Sequence, residues 1–192
     1  MHTPPASYEY LMVAYPDKAL VEKIQAERAL FSETYNIRLR PQLKPYVPVT
    51  HFYASEGIEQ TLVRWLQKIC GSEQGFTLTL NNYSGFPAHT IYYRIQDTDP
   101  LVRLLGQLGA MNDFIEPSAG IYRNRPHVAL AGNLPASIYE QALSDYSRKP
   151  FHETFQVKEL VLLRRKDNYD TLRTVQVFGL LPANNDLFNK VA

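Results

Sequence analysis

Hydrophobic and polar positions along this chain recur with two periods, and the switches between them divide it into strands and helices. YEYLMVAYP at 8–16 is a run of aromatic and branched residues that stops at Pro16, the pattern of a strand. Asp17 is then placed to cap a helix over KALVEKIQAERALFSETY, 18–35, whose apolar residues fall at helical spacing. The proline-punctuated, basic stretch IRLRPQLKPYVP, 37–48, reads as a loop leading to a strand around His51 in VPVTHFYASEG, 47–57. A helix over IEQTLVRWLQKIC follows. Two strands at 76–82 and 89–96, joined by a turn-rich segment, precede a helix over DPLVRLLGQLGAM, 99–111.

The second half repeats this order. A strand in RNRPHVALAG, 123–132, carries His127; ASIYEQALSDYS, 136–147, reads as a helix; FHETFQVKELVLLRR and RTVQVFGLLP read as a strand pair around the polar turn KDNYD, 166–170. In each half the histidine strand is followed by a helix and then by a strand opening on phenylalanine, Phe76 in one and Phe155 in the other. Two copies are too few for a solenoid. The pattern predicts one bilobal α+β domain over 1–192: two pseudo-two-fold-related lobes of antiparallel sheet with helices, a central cleft, and one histidine per lobe.

Strand side chains alternate, so His51 shares a face with Tyr53, and His127 with Ala129. If the two strands lie side by side across the pseudo-axis, both imidazoles face one cleft. Imidazole exchanges protons near neutral pH, so a facing pair is an acid and a base. One strand histidine taken alone is better read as structural; two in matched places point to chemistry.

Composition narrows the classes. With 45% hydrophobic and 20% charged residues in 192, the chain is an ordinary soluble globular protein able to bury a core without staples. Twenty basic against nineteen acidic residues leave a net charge of +1, so tight nonspecific nucleic-acid binding is not expected. The single Cys70 lies in a helical segment and reads as a buried thiol, consistent with a reducing cytoplasm. No basic leader and no membrane-length apolar run stand out, so the expected location is cytoplasmic, away from membranes. His89 and His152 lack metal-ligand spacing with each other or with Cys70, and His2 is terminal; no metal and no cofactor are expected. Dinucleotide, Walker and nucleophile-elbow motifs do not occur in the sequence.

RPHVAL and PVTHFYA resemble the paired histidine motifs of the two-histidine (2H) phosphoesterase superfamily, which includes 2′-5′ RNA ligase-like proteins and RNA cyclic phosphodiesterases. Pro126, His127, Val128 and Leu130 match the second motif; His51 matches the first, with its proline displaced to Pro48. YEYLMVAYPDKALVEKI resembles the family's first strand and helix, so the resemblance spans nearly the whole chain.

The resemblance implies a metal-independent phosphodiesterase or ligase acting on a nucleotide or RNA end with a 2′,3′-cyclic phosphate or 2′-5′ linkage. His51 and His127 would be general acid and base in unassigned order. The chain is expected to work as a monomer. Tyr53 and Ala129 depart from the family pattern, standing where it has Thr or Ser. Tyr53 keeps a hydroxyl that could reach a phosphate oxygen, whereas Ala129 has none; losing one such donor costs on the order of 10²- to 10³-fold in rate. Among nearby cations Arg125 is the first candidate to compensate, followed by Arg123, Arg40 and Lys44; Tyr122 and Tyr53 are the candidates to stack on a base. The rival expectations are a nucleotide- or RNA-end-binding module with impaired catalysis, and an unrelated α+β interaction protein in which both histidines only pack.

Overall fold

The strand and helix that open the chain fold as their pattern predicts. In this computed structural model, which describes residues 7–39, 44–87, 89–111, 115, 126–167 and 169–183, β1 (Ser7–Ala14) runs into α1 (Lys18–Thr34). Asp17 caps α1 through a hydrogen bond from the Leu20 amide, and the helix buries Leu20, Val21, Ile24, Arg28 and Phe31 on one face. β2 (Val47–Ser55) holds His51; α2 (Glu59–Cys70) buries Leu62, Leu66 and Cys70. Next come β3 (Phe76–Phe86), β4 (Thr90–Ile95) and α3 (Asp99–Leu108), which buries Leu101, Leu104 and Leu108. β5 (His127–Ala131), α4 (Ala136–Tyr146), β6 (His152–Val157), β7 (Glu159–Arg165) and β8 (Arg173–Gly179) complete the described strands and α-helices.

The strands form two antiparallel four-stranded sheets, in the orders β2-β1-β7-β8 and β5-β4-β3-β6. Their inner faces and the helices share one core, to which Tyr10, Phe52, Leu66, Leu80, Tyr93, Val128 and Phe178 contribute wholly buried side chains. Each fully buried side chain of this kind contributes about 1.5–3 kcal/mol. Val13, Val161 and Leu163 form a small second cluster on the other face of the first sheet, with Leu11, Tyr15, Tyr46 and Leu172 against it.

Two features differ from the sequence pattern. The stretch 151–165 is not one strand: β6 pairs with β3 in one sheet, and after Lys158 the chain crosses to pair β7 between β1 and β8 in the other. Alternation ends there because Leu160–Leu163 is buried on both faces, Leu160 and Leu162 in the main core and Val161 and Leu163 in the small cluster. The lobes are therefore not the two halves of the sequence. The His51 sheet combines the first two strands with the last two, and β3, which follows His51 in the chain, belongs to the His127 sheet. Cys70 is buried as expected, and burial pushes its thiol up to about 11.

α4 lies so close to β3 that a Cβ on Gly85 would sit 2.5 Å from the Tyr139 hydroxyl oxygen and 3.1 Å from a Leu143 methyl. Gly85→Ala is expected to cost about 1–3 kcal/mol in urea unfolding. Gly106, exposed in α3 with nothing within 4 Å of its would-be Cβ, gives the opposite sign: Gly106→Ala is expected to gain about 0.5–1 kcal/mol.

Candidate functional site

Strand alternation alone would not hold His51 off the core. Val47 and Val49 face the main core, and continued alternation would turn His51 inward; a register shift opposite Met12/Val13 lets Thr50, Phe52 and Ala54 take over the inner face. His51 and Tyr53 consequently lie on the outer face. β3 makes the same switch. Leu78 and Leu80 are core, a register shift follows, and Tyr83 is core; Asn82 sits at φ 57° in the shift and exchanges hydrogen bonds with the Phe151 backbone. Ser84 and Phe86 thereby reach the outer face, alongside Tyr92 on β4 and His127 on β5. β2 and β5 are edge strands of different sheets and touch each other.

His51 belongs to a charged array. Its Nε2 lies 2.7 Å from Glu9 Oε1; the same oxygen accepts a hydrogen bond from Arg165 Nη2 at 2.8 Å, and Arg165 Nε donates to the other carboxylate oxygen. Register explains the assembly, because Glu9 stands opposite both Tyr53 on β2 and Arg165 on β7, while His51 stands opposite Leu11 two positions along. Glu9 is only 7% exposed. Burial alone would raise its carboxyl, but the hydrogen bonds and charge of Arg165, followed by those of His51, hold it below the usual carboxylate range. Tyr53 meets the His51 ring edge-on at 5.2 Å. Burial raises the Tyr46 phenol, whose charged neighbours are Arg165, Glu9 and Arg28.

The surroundings of His127 are aromatic. Phe86 and Tyr92 stack at 4.4 Å, and the imidazole packs edge-on against both, at 4.8 and 5.2 Å. Arg94 stands directly opposite His127 in the β4–β5 ladder, and Tyr92 opposite Ala129. Arg28, 9% exposed, reaches from α1 to donate to the carbonyls of Leu130 at 3.2 Å and Ala129 at 2.6 Å, anchoring the histidine strand to the helix.

Among the residues expected from sequence, His51 and Tyr53 are side by side, and His127 lies on the strand touching theirs. Arg125, Tyr122, Arg123 and Arg40 lie outside the described residues. Lys44 is engaged elsewhere, over the Tyr15 ring at 4.5 Å. Sequence reading passed over Glu9, Arg165, Phe86, Arg94 and Arg28. Glu9 did leave a signal, as one acid inside the otherwise apolar and aromatic YEYLMVAY.

KDNYD is the turn between β7 and β8, with Asp167 Oδ1 accepting the amides of Tyr169 at 2.8 Å and Asp170 at 3.1 Å. A cavity of about 500 Å³ beside it is lined by Tyr8, Arg164, Arg165, Lys166, Asp167, Tyr169, Asp170 and Arg173. Its two inner arginines are already neutralised, Arg165 by Glu9 and Arg164 by Glu56 and Glu59. Among the described residues no helix is long and apolar enough to cross a membrane.

Two antiparallel sheets whose touching edge strands each carry a histidine define a LigT-like α+β protein. E. coli LigT in its apo form superposes with a TM-score of 0.70 over 92% of this chain and 99% of that one, at 17% identity. TT0787 of Thermus thermophilus gives 0.71 over 92% and 100%, at 13% identity. LigT has also been solved with 3′-AMP, and that structure matches at 0.66 over 91% and 98%, again at 17% identity. Identities this low speak for the fold alone. No curated protein matches by sequence. The family model of the 2′-5′ RNA ligase superfamily matches residues 15–168, and the chain belongs to that superfamily, a group of phosphoesterases and RNA ligases.

The lowered carboxyl of Glu9 fixes the sign of a pH effect. A depressed folded-state value contributes stability that is complete above the unfolded value of about 4.3 and is lost as pH falls through the folded value. Glu9→Gln is expected to cost about 1–3 kcal/mol at pH 7, with the gap to wild type closing in acid below about pH 4. Urea titrations of both proteins from pH 7 to pH 3 measure it; a gap that stays constant contradicts the ion-pair account.

Proposed function

We propose that the chain is a metal-independent phosphodiesterase that opens 2′,3′-cyclic phosphates or cleaves or forms 2′-5′ linkages at RNA ends, with His51 and His127 as general acid and base. The observation that carries this is the meeting of the two edge strands, each with its histidine on the face away from the core. In-line displacement at phosphorus needs one proton removed from the attacking hydroxyl and one delivered to the leaving oxygen on the opposite side. Two imidazoles across a cleft meet that need without a metal. That LigT has been solved with phosphate and with 3′-AMP supports a nucleotide as the ligand class. Tyr53, beside His51, is assigned to a phosphate oxygen; Arg125 and Tyr122 remain candidates for phosphate and base contacts.

Ala129 favours a second reading, a nucleotide- or RNA-end-binding module with weak turnover, because its methyl donates no hydrogen bond to developing charge. Turnover of 2′,3′-cyclic AMP and of a 2′-5′-linked diadenylate in excess chelator separates the two. The enzyme reading expects chelator-resistant turnover that falls about 10²- to 10⁴-fold in His51→Ala and in His127→Ala. Binding of 3′-AMP without turnover of either substrate would select the binding module. Turnover unchanged in both variants would remove the histidines from the chemistry.

A further inference from the structure

We propose that Arg94 holds the reacting phosphate beside His127, supplying the donor that Ala129 lacks; the assignment rests on the reading of this cleft as a phosphodiester site. Residues directly opposite in an antiparallel ladder project from the same face with Cβ atoms about 4.5–5.5 Å apart, and Arg94 is the residue opposite His127. Arg94 thus stands on the face that carries the imidazole, with its guanidinium anchored on the β3 side of β4. Position 129 is one alternation further along the same face, opposite Tyr92, and its methyl carries no donor.

Among the described residues no carboxylate forms an ion pair with Arg94, whereas Arg165 is paired with Glu9, Arg164 with Glu56 and Glu59, and Arg28 is bonded to two backbone carbonyls. Arg94 is exposed, yet its orientation is constrained. Its Nε donates to the Asn81 carbonyl at 3.2 Å, and the Asn81 side chain is itself tied to Gln96 at 3.0 Å. With Nε occupied, both terminal nitrogens are without a hydrogen-bond partner among the described residues. Two parallel donors on a planar fork match two non-bridging oxygens of a phosphodiester, a geometry that an ammonium does not reproduce.

The test pairs calorimetric titration with 3′-AMP and turnover of 2′,3′-cyclic AMP, in wild type, Arg94→Ala, Arg94→Lys and Arg94→Ala combined with Ala129→Thr. Arg94→Ala is expected to weaken 3′-AMP binding about 10- to 100-fold and to lower kcat/KM by at least as much. Arg94→Lys should recover only part of either loss, and the hydroxyl introduced by Ala129→Thr should restore part of the activity lost in Arg94→Ala. Arg94→Lys preserves charge and bulk, so it serves if the alanine variant does not fold. Wild-type affinity and turnover in Arg94→Ala, or full recovery in Arg94→Lys, would overturn the bidentate assignment while leaving the histidine cleft intact. A wild-type protein that neither binds 3′-AMP nor turns over the cyclic nucleotide would remove the cleft reading and the assignment together.

Discussion

The outer-face chemistry of this protein depends on single-residue slips in strand register. Side chains alternate with a period of two, so one extra residue in a strand turns everything beyond it to the opposite face. In β2 the slip lies between Val49, whose side chain is core, and Thr50, whose side chain is also core; it releases His51 and Tyr53 outward. In β3 the slip around Asn82 does the same for Ser84 and Phe86. Without the first slip, His51 would stand on the core face. Without the second, Phe86 would face the core and leave the Tyr92–His127 pair without its third ring. Each slip disrupts the ladder locally.

The two histidines exposed in this way have unlike surroundings. His51 shares a nearly buried carboxylate with Arg165, so three strands, β1, β2 and β7, are joined through one ionised group. A buried carboxylate of this kind is tolerable only when paired, and pairing it also orients the ring. His127 packs against two aromatic rings, and its strand is held by the Arg28 fork on two carbonyls. Several of the 13 tyrosines have structural work in the core: Tyr83, Tyr93 and Tyr146 pack around Phe151 and Phe31, and burial raises all three phenols, with Tyr146 donating to Glu27.

Much of the fold was legible in the chain alone. α1 starts where Asp17 predicts, the helices bury residues at the expected spacing, and both histidines fall on strands. The break at Lys158 was not legible, because FHETFQVKELVLLRR continues with strand-forming residues and nothing local marks where the chain leaves one sheet for the other. Among the candidate site residues, His51, Tyr53 and His127 could be picked from short motifs. Arg94 could not, since it lies 33 positions before His127 in the sequence and becomes its neighbour only through the β4–β5 ladder.

The sequence by itself determined the element types, the paired histidine motifs and the family they belong to, because these rest on local periodicity and short-range residue identity. Tertiary structure alone decided which strands share a sheet, which face each histidine presents, and which charges meet it. Sheet pairing is non-local and a bulge reverses a face by one residue, so neither is encoded in the alternation of any single strand. For the same reason Glu9 and Arg165, 156 positions apart, hold one carboxylate beside His51.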